Sequence, residues 1–191
     1  YFRYIKKLLY IIFLASIFGC SKTEIEHEYE ETLIIGHKGS GTNGNGFGLQ
    51  RENTFLACTT GFEKADGIEI DIQRTNDHEV FLYHNFFVVP CADFDIKSVA
   101  ASTKTEVLSH FKCLYPEDSI TTLSSILALQ QKSYPNKHLF LDIKAVVNKN
   151  TLLKMPTPQH YLNLMSQDIF EQIKDFENKA YLHVETENAV I

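Results

Sequence analysis

Short apolar runs alternate with helical patterns through most of this chain. Five runs rich in Ile, Leu, Phe and Val predict β-strands at 32–37, 67–72, 79–84, 138–144 and 180–185. Helical spacing of the apolar positions predicts helices at 53–65, 105–114, 121–133 and within 157–178, whereas residues 85–103 look irregular. Asn53 is a plausible N-cap for the first helix, and a Thr opens the third. The alternation predicts a parallel sheet covered on both faces, which fits either a doubly wound sheet or a β/α barrel.

The first twenty residues follow a different pattern. Arg3, Lys6 and Lys7 precede the apolar run LLYIIFLASIFG, and Cys20 follows it. A basic start and a short apolar run are typical of a secretory signal, and IFGC resembles the lipobox of bacterial lipoproteins. Lipidation of Cys20 would anchor the protein to a membrane of the bacterial cell envelope, on its periplasmic or surface side. The alternative is a buried N-terminal helix with an incidental cysteine.

Residues 21–31, SKTEIEHEYEE, are polar and charged, and we interpret them as a solvated tether. The domain would then occupy residues 32–191. A chain of 191 residues with 44% hydrophobic positions can form one domain with a sizeable core.

Charge and cysteine content narrow the classes of function. A net charge of −6 argues against a nucleic-acid partner, which usually requires a basic surface. Cys58, Cys91 and Cys113 fit no zinc motif. Cys91 and Cys113 could form a disulfide in an exported protein, but isolated thiols are the favoured interpretation.

Carboxylates lie on one face of the second predicted strand. Glu69 and Asp71 alternate with three isoleucines, so the acidic and apolar side chains point to opposite faces. Asp142 and Lys144 share a face of the fourth strand in the same way. A strand covered on both faces cannot leave such groups unpaired without a large cost, so we expect them to meet at the carboxyl ends of the strands.

Histidines complete this group of polar side chains. His37 and His84 close the first and third predicted strands. Three carboxylates provide hard oxygen ligands that suit Mg²⁺ or Ca²⁺ better than zinc. A divalent cation and a lysine would neutralise a phosphate, while two histidines could accept and donate protons. This equipment is suited to cleaving a phosphodiester.

These residues also carry a resemblance to a known family. The segments GHKG at 36–39, ENT at 52–54, EID at 69–71, His84, TL at 122–123 and DIK at 142–144 occur in order. Together they resemble the glycerophosphodiester phosphodiesterases, which are (β/α)₈ TIM barrels, over residues 32 to about 185. The glycine-rich segment GSGTNGNGFG between the first two motifs lacks the ending of a P-loop, and we interpret it as a loop over the barrel mouth.

The resemblance implies a role for each matched position. His37 and His84 would be the catalytic acid/base pair, and Glu69, Asp71 and Asp142 would hold the Mg²⁺ or Ca²⁺. The residues implied in binding substrate are Lys38, Lys144, Glu52 and Asn53. At four positions the chain departs from the usual family residue, with Lys38 for Arg, Arg51 for Pro, Asn85 for Asp and Asp142 for Glu.

The implied activity is metal-dependent hydrolysis of glycerophosphodiesters to sn-glycerol 3-phosphate and an alcohol. Two alternatives are a phospholipase C- or D-like enzyme acting on intact lipids and a surface lipoprotein that binds its ligand without turnover. A TIM barrel has eight strands and the pattern predicts five, so we expect the chain to be part of a longer gene product.

Overall fold

The computed structural model describes residues 32–41, 50–88, 97–114, 120–144, 158–177 and 179–185. The chain divides into two compact units, Tyr1–Thr32 and Leu33–Ile191, and nearly all described residues belong to the second. The predicted signal, lipobox and tether lie outside the described residues, as do positions 42–49 of the glycine-rich loop. Within the described ranges, no helix has the length and apolar character needed to cross a bilayer.

Seven strands and four α-helices form the described part of the chain. The strands are β1 (Ile35–Gly36), β2 (Gly67–Arg74), β3 (Val80–Leu82), β4 (Phe87–Val88), β5 (Lys97–Ser98), β6 (His138–Ile143) and β7 (Leu182–Glu185). The helices are α1 (Phe55–Lys64), α2 (Lys104–Leu114), α3 (Leu123–Ser133) and α4 (Pro158–Ile173), and short 3₁₀ turns cover Val99–Ala101 and Lys179–Tyr181.

The main sheet is an arc of parallel strands in the order β1-β2-β6-β7. Helix α1 connects β1 to β2, and α4 connects β6 to β7, so consecutive parallel strands lie side by side with helical crossovers. This order is that of successive strands in a β/α barrel. The predicted α/β alternation is therefore confirmed in the described residues.

The third predicted strand, at 79–84, is antiparallel to its neighbour, whereas the alternation of strands and helices predicted a parallel sheet. Strand β3 pairs antiparallel with the end of β2, with Ile72 opposite Leu82 and Arg74 opposite Val80. The turn between them is only a few residues long, and a parallel connection needs a dozen or more. The sheet thus has the predicted five strands, but four of them are parallel.

Apolar side chains of the central strands form the core. Ile68, Ile70 and Ile72 of β2 are fully buried, as are Leu139 and Leu141 of β6. They pack against apolar residues of α1, α3 and α4, including Phe62, Ile126 and Met165. The three isoleucines belong to the apolar core, whereas Glu69 and Asp71 meet Asp142, which confirms that β2 presents its apolar and acidic residues to opposite faces.

Element boundaries differ from the predicted ones in two informative places. Thr54, rather than Asn53, is the N-cap of α1, and its side chain accepts a hydrogen bond from the Ala57 amide at 3.2 Å. The predicted N-cap was therefore off by one position. The segment 85–103, predicted as irregular, contains the short antiparallel pair β4–β5.

Candidate active site

Three carboxylates meet on the polar side of the central strand pair. Glu69 and Asp71 belong to β2, and Asp142 belongs to β6, where it is the register partner of Asp71. One oxygen from each carboxylate lies within 4.8 Å of the other two. Asp71 is 1% exposed and Asp142 is 8% exposed, so both are taken almost completely out of water. The predicted convergence of these three residues is thus present.

Lys144 lies among the carboxylates rather than apart from them. It follows β6 directly, and its amide donates to the Ile72 carbonyl at 3.1 Å. Its Nζ lies 2.5 Å from Asp142 Oδ2 and 3.2 Å from Asp71 Oδ1. Burial disfavours the charged ammonium, but the hydrogen bond to Asp142 and the charge of Asp71 outweigh burial and raise the pKa of Lys144. The amine therefore stays charged at any physiological pH.

Asn53 holds Asp71 in place through two hydrogen bonds. Its Nδ2 donates to Asp71 Oδ2 at 2.8 Å, and its Oδ1 accepts from the Asp71 amide at 3.1 Å. Asn53 has a φ of 57°, in the left-handed region that asparagine tolerates better than most residues. This conformation turns the side chain back onto β2, which explains why Asn53 is not the helix cap.

Lys38 links the loop after β1 to two acidic residues. Its amide donates to Glu69 Oε2 and its Nζ donates to Glu52 Oε2, both at 2.9 Å. Lys38 also has a positive φ of 54°, and the following Gly39 has φ 81°. A Cβ on Gly39 would lie 2.8 Å from the backbone of Ala57 and Cys58, so only glycine fits there. The tight turn brings the backbone of Lys38 against Glu69.

The pKa of Glu69 is raised above its usual value. Burial is the main cause that raises the pKa of Glu69, and the charges of Asp71 and Asp142 act in the same direction. The Lys38 amide and His37 oppose the rise without cancelling it. A group of carboxylates in this state favours an added positive charge.

The two histidines follow strands β1 and β3, which pair with the same edge of β2, opposite the edge that pairs with β6. His37 follows β1, is largely exposed, and has its Nε2 3.7 Å from Glu69 Oε2. His84 comes after β3, and the reversal of the hairpin carries it back along β2, where the Tyr83 amide donates to the Asp71 carbonyl at 2.9 Å. The antiparallel direction of β3 therefore brings His84 to a cleft that it lines together with Asn53, the hydrogen-bond partner of Asp71, although His84 does not end a parallel strand.

A shallow cleft lies next to His84. It is lined by Arg51, Glu52, Asn53, Leu82, Tyr83, His84, Asn85 and Phe111. The Asn85 side-chain oxygen lies 3.4 Å from Nδ1 of His84, at the limit of a hydrogen bond. Of the lining residues, Phe111 of α2 was not predicted from the sequence. No local signal marks it, because only the packing of α2 brings it to the cleft.

The carboxylate group fits a hard divalent cation. All its donors are oxygens, which Mg²⁺ and Ca²⁺ prefer. Oδ1 of Asp142 is buried, and no described residue donates a hydrogen bond to it. A buried carboxylate oxygen without a partner is costly unless a cation or a water meets it. The group is also the single cluster of at least three potential metal ligands among the described residues.

The fold and the site define a partial α/β barrel with an acidic centre that has His37 in contact and His84 in the adjoining cleft. The model of the glycerophosphoryl diester phosphodiesterase family matches residues 37–183. The chain belongs to this family. A comparison with curated proteins gives no match.

Solved structures show the same fold at low sequence identity. A protein of Agrobacterium tumefaciens is 14% identical with a TM-score of 0.60, and the match covers 84% of this chain and 57% of that one. A glycerophosphodiester phosphodiesterase from Parabacteroides distasonis is 19% identical with a TM-score of 0.59, covering 82% and 57%. An Oleispira antarctica phosphodiesterase, solved with the product sn-glycerol-3-phosphate, is 16% identical with a TM-score of 0.59, covering 83% and 58%. The chain thus spans little more than half the length of these relatives.

Proposed function

We propose that this chain carries the catalytic centre of a glycerophosphodiester phosphodiesterase. The reaction is hydrolysis of a glycerophosphodiester to sn-glycerol 3-phosphate and an alcohol. Membership of the family supports the activity. The observation that carries the proposal is the meeting of Glu69, Asp71 and Asp142 within 4.8 Å, with His37 3.7 Å from Glu69 and with His84 in a cleft shared with Asn53, which contacts Asp71.

The position of each residue in the centre suggests its role in the reaction. Glu69, Asp71 and Asp142 would hold a Mg²⁺ or Ca²⁺ ion, which supplies positive charge to a phosphoryl oxygen. One histidine accepts the proton of the attacking oxygen, and the other donates a proton to the oxygen of the leaving alcohol. Asn53 keeps Asp71 oriented, and Lys38 forms an ion pair with Glu52, a residue of the cleft lining.

A hydrolysis assay with matched variants tests the proposal. Purified protein is incubated with soluble glycerophosphodiesters of different head groups and with intact phospholipid, and release of sn-glycerol 3-phosphate is measured. We expect metal-dependent release from the soluble diesters, and we expect Asp71→Asn, His37→Ala and His84→Ala to lower kcat about 100-fold or more. Lys104→Met, which removes an ion pair with Glu79 on the surface, is the control.

The outcomes separate the alternatives. Cleavage of intact lipid in place of soluble diesters would favour the phospholipase-like alternative. Binding of a diester without turnover, by protein that is folded and loaded with metal, would favour a non-catalytic binding protein.

We further propose that the protein is exported and anchored in the bacterial cell envelope through a lipid on Cys20. The basic start, the apolar run and IFGC support this. Metabolic labelling with a fatty acid should mark the wild-type protein and leave Cys20→Ser unlabelled. Equal labelling of both proteins would contradict the proposal.

A further inference from the structure

Lys144 occupies the space between the two most buried acids of the site. Lys144 is 5% exposed, and the aspartates that it contacts, Asp71 and Asp142, are 1% and 8% exposed. Asp71 accepts a hydrogen bond at Oδ2 from the Asn53 amide at 2.8 Å, and its buried Oδ1 lies in an ion pair 3.2 Å from Lys144 Nζ without a hydrogen bond from a described residue. Asp142 gives Oδ2 to Lys144 at 2.5 Å and keeps Oδ1 without a hydrogen-bond partner among the described residues.

Two aspartates in this arrangement need a positive charge. Asp71 and Asp142 are register partners on adjacent strands, and like charges directly opposite each other destabilise a sheet. Burial strengthens the repulsion, because water no longer screens it. Lys144, two residues after Asp142 on the same face of the chain, supplies that charge from within the molecule.

We propose that the Lys144 ammonium and the divalent cation compete for Asp71 and Asp142. In the metal-free protein Lys144 is the counter-ion that holds β2 and β6 together at this level of the sheet. A cation bound to both aspartates would lie next to the Lys144 ammonium, and the two positive charges repel. Either Lys144 moves away from the aspartates, or both remain and each binds the aspartates more weakly. The inference rests on the proposed function only in that the site accepts a divalent cation.

The competition has a reciprocal consequence. If Lys144 lowers the affinity for metal, then metal lowers the affinity of Lys144 for the aspartates by the same factor. Lys144 released in this way becomes a mobile positive charge at the acidic centre, available to a substrate phosphate. Binding of the metal would then free Lys144 for the substrate phosphate, and Lys144 would be unavailable to phosphate before the metal binds.

Removing the lysine charge tests the competition directly. Wild type and Lys144→Met are compared by calorimetric titration with Ca²⁺ and Mg²⁺ and by thermal melting in a chelator. We expect Lys144→Met to melt at a lower temperature in chelator and to bind metal about tenfold more tightly or better. Lys104→Met, which loses an exposed lysine's pair with Glu79 and touches none of the three carboxylates of the site, should change neither quantity. Metal affinity in folded Lys144→Met equal to or below that of wild type would overturn the proposal.

A second measurement needs no variant and decides the matter if Lys144→Met does not fold. Wild-type protein labelled with ¹⁵N in lysine is examined by NMR, where an ammonium held in a buried ion pair gives a slowly exchanging Nζ signal. In chelator we expect two such signals, one from Lys144 and one from Lys38 in its buried ion pair with Glu52. Metal saturation should shift or remove the Lys144 signal. Two signals unchanged at saturating metal would show that Lys144 keeps its aspartates, contrary to the proposal.

Failure of this inference differs from failure of the proposed function. Wild type that hydrolyses diesters while Lys144→Met binds metal no more tightly would leave the activity standing and remove the competition. Tighter metal binding by Lys144→Met in a protein that cleaves no diester would do the reverse. Absence of metal binding in both folded proteins would overturn the competition.

Discussion

At the scale of single residues, Asn53 combines an unfavourable backbone conformation with hydrogen bonds that orient a site residue. It accepts a positive φ of 57° and makes two hydrogen bonds to Asp71. Asn53→Ala loses both bonds and puts alanine, which tolerates the left-handed region less well than asparagine, at this position, so we expect a loss of about 2–4 kcal/mol in the free energy of unfolding. Asn53→Gly loses the bonds but not the conformation, so it should lose about 1 kcal/mol less.

Urea unfolding of the two variants separates these contributions. Equal losses in both would mean that the left-handed conformation carries no cost at this position. An unchanged stability in both would contradict the role of the two hydrogen bonds.

Cys58 offers a second prediction at this scale. It is a buried free thiol in α1, and burial, with a smaller effect from Glu69, raises the pKa of Cys58 from 9.0 to about 12. The proton is therefore bound more tightly in the folded protein than in the unfolded chain. The contribution of this thiol to stability is present below pH 9.0 and is lost as the pH rises from 9.0 towards 12.

Mass mapping of alkylated peptides checks the state of this thiol. Cys58 should remain unmodified by iodoacetamide in native protein at pH 8 and should react fully in denaturant, because only the thiolate is a nucleophile. Rapid native labelling would show that α1 opens readily or that the thiol is not buried. Cys91 and the side chain of Cys113 lie outside the described residues, so the expectation that they are isolated thiols rather than a disulfide stays a prediction.

At the scale of elements, the start of α1 connects the cap to the site. Thr54 caps the helix by accepting from the Ala57 amide, and its hydroxyl donates to the Arg51 carbonyl at 2.9 Å. Because Asn53 directly precedes this cap, a frayed helix start would also loosen the contact with Asp71. We expect Thr54→Ala to lose about 1–2 kcal/mol in the free energy of unfolding and to weaken metal binding slightly.

Thr54→Ser is the matched variant for this prediction. It keeps the capping oxygen, so it should retain most of the stability lost by alanine. The same pair of variants at Thr122, the N-cap of α3, should change stability without changing metal affinity. Identical effects on metal binding at both caps would contradict the special role of the α1 start.

How far the sequence predicts these elements depends on the range of the interactions that fix them. Alternation along β2 is local, and it correctly predicted the faces of Glu69, Asp71 and the isoleucines. The direction of β3 depends on the length of a turn, and the apolar pattern of residues 79–84 is the same in either direction. Likewise, the sequence placed Lys144 at the site, but its contact with Asp142 and Asp71 depends on the register between β2 and β6.

Helix α4 shows a tertiary contact that no local pattern indicates. Tyr161 is buried, accepts a hydrogen bond from the Arg74 amide at 2.9 Å, and Asp168 pairs with the Arg74 guanidinium. His78, at the hairpin turn, joins this group through Arg74 and Asp168. These residues are about 90 positions apart in the chain, so only the folded arrangement reveals that α4 is fastened to the β2–β3 hairpin.

At the scale of the whole molecule, the described sheet is strongest at its centre. Strands β2 and β6 share six register pairs, β6 and β7 share four, and β1 and β2 share two. Among the described residues, β1 and β7 each pair with one strand only. Local unfolding of the sheet should therefore begin at its edges, because an edge strand loses fewer hydrogen bonds and exposes less apolar surface when it opens.

Native-state hydrogen exchange followed by mass spectrometry tests this order. We expect the amides of β2 and β6 to exchange slowest, those of β7 faster, and those of β1 fastest, since free energies of local opening follow local pairing and burial. Adding Ca²⁺ or Mg²⁺ should slow exchange mainly in β2 and β6, because these two strands carry all three predicted metal ligands. Asp142→Asn should abolish that metal-dependent slowing and leave the order of the strands unchanged. Protection of β1 equal to that of β2 in metal-free protein would mean that another strand or another copy of the chain covers the β1 side, and dilution of the sample would distinguish these two cases.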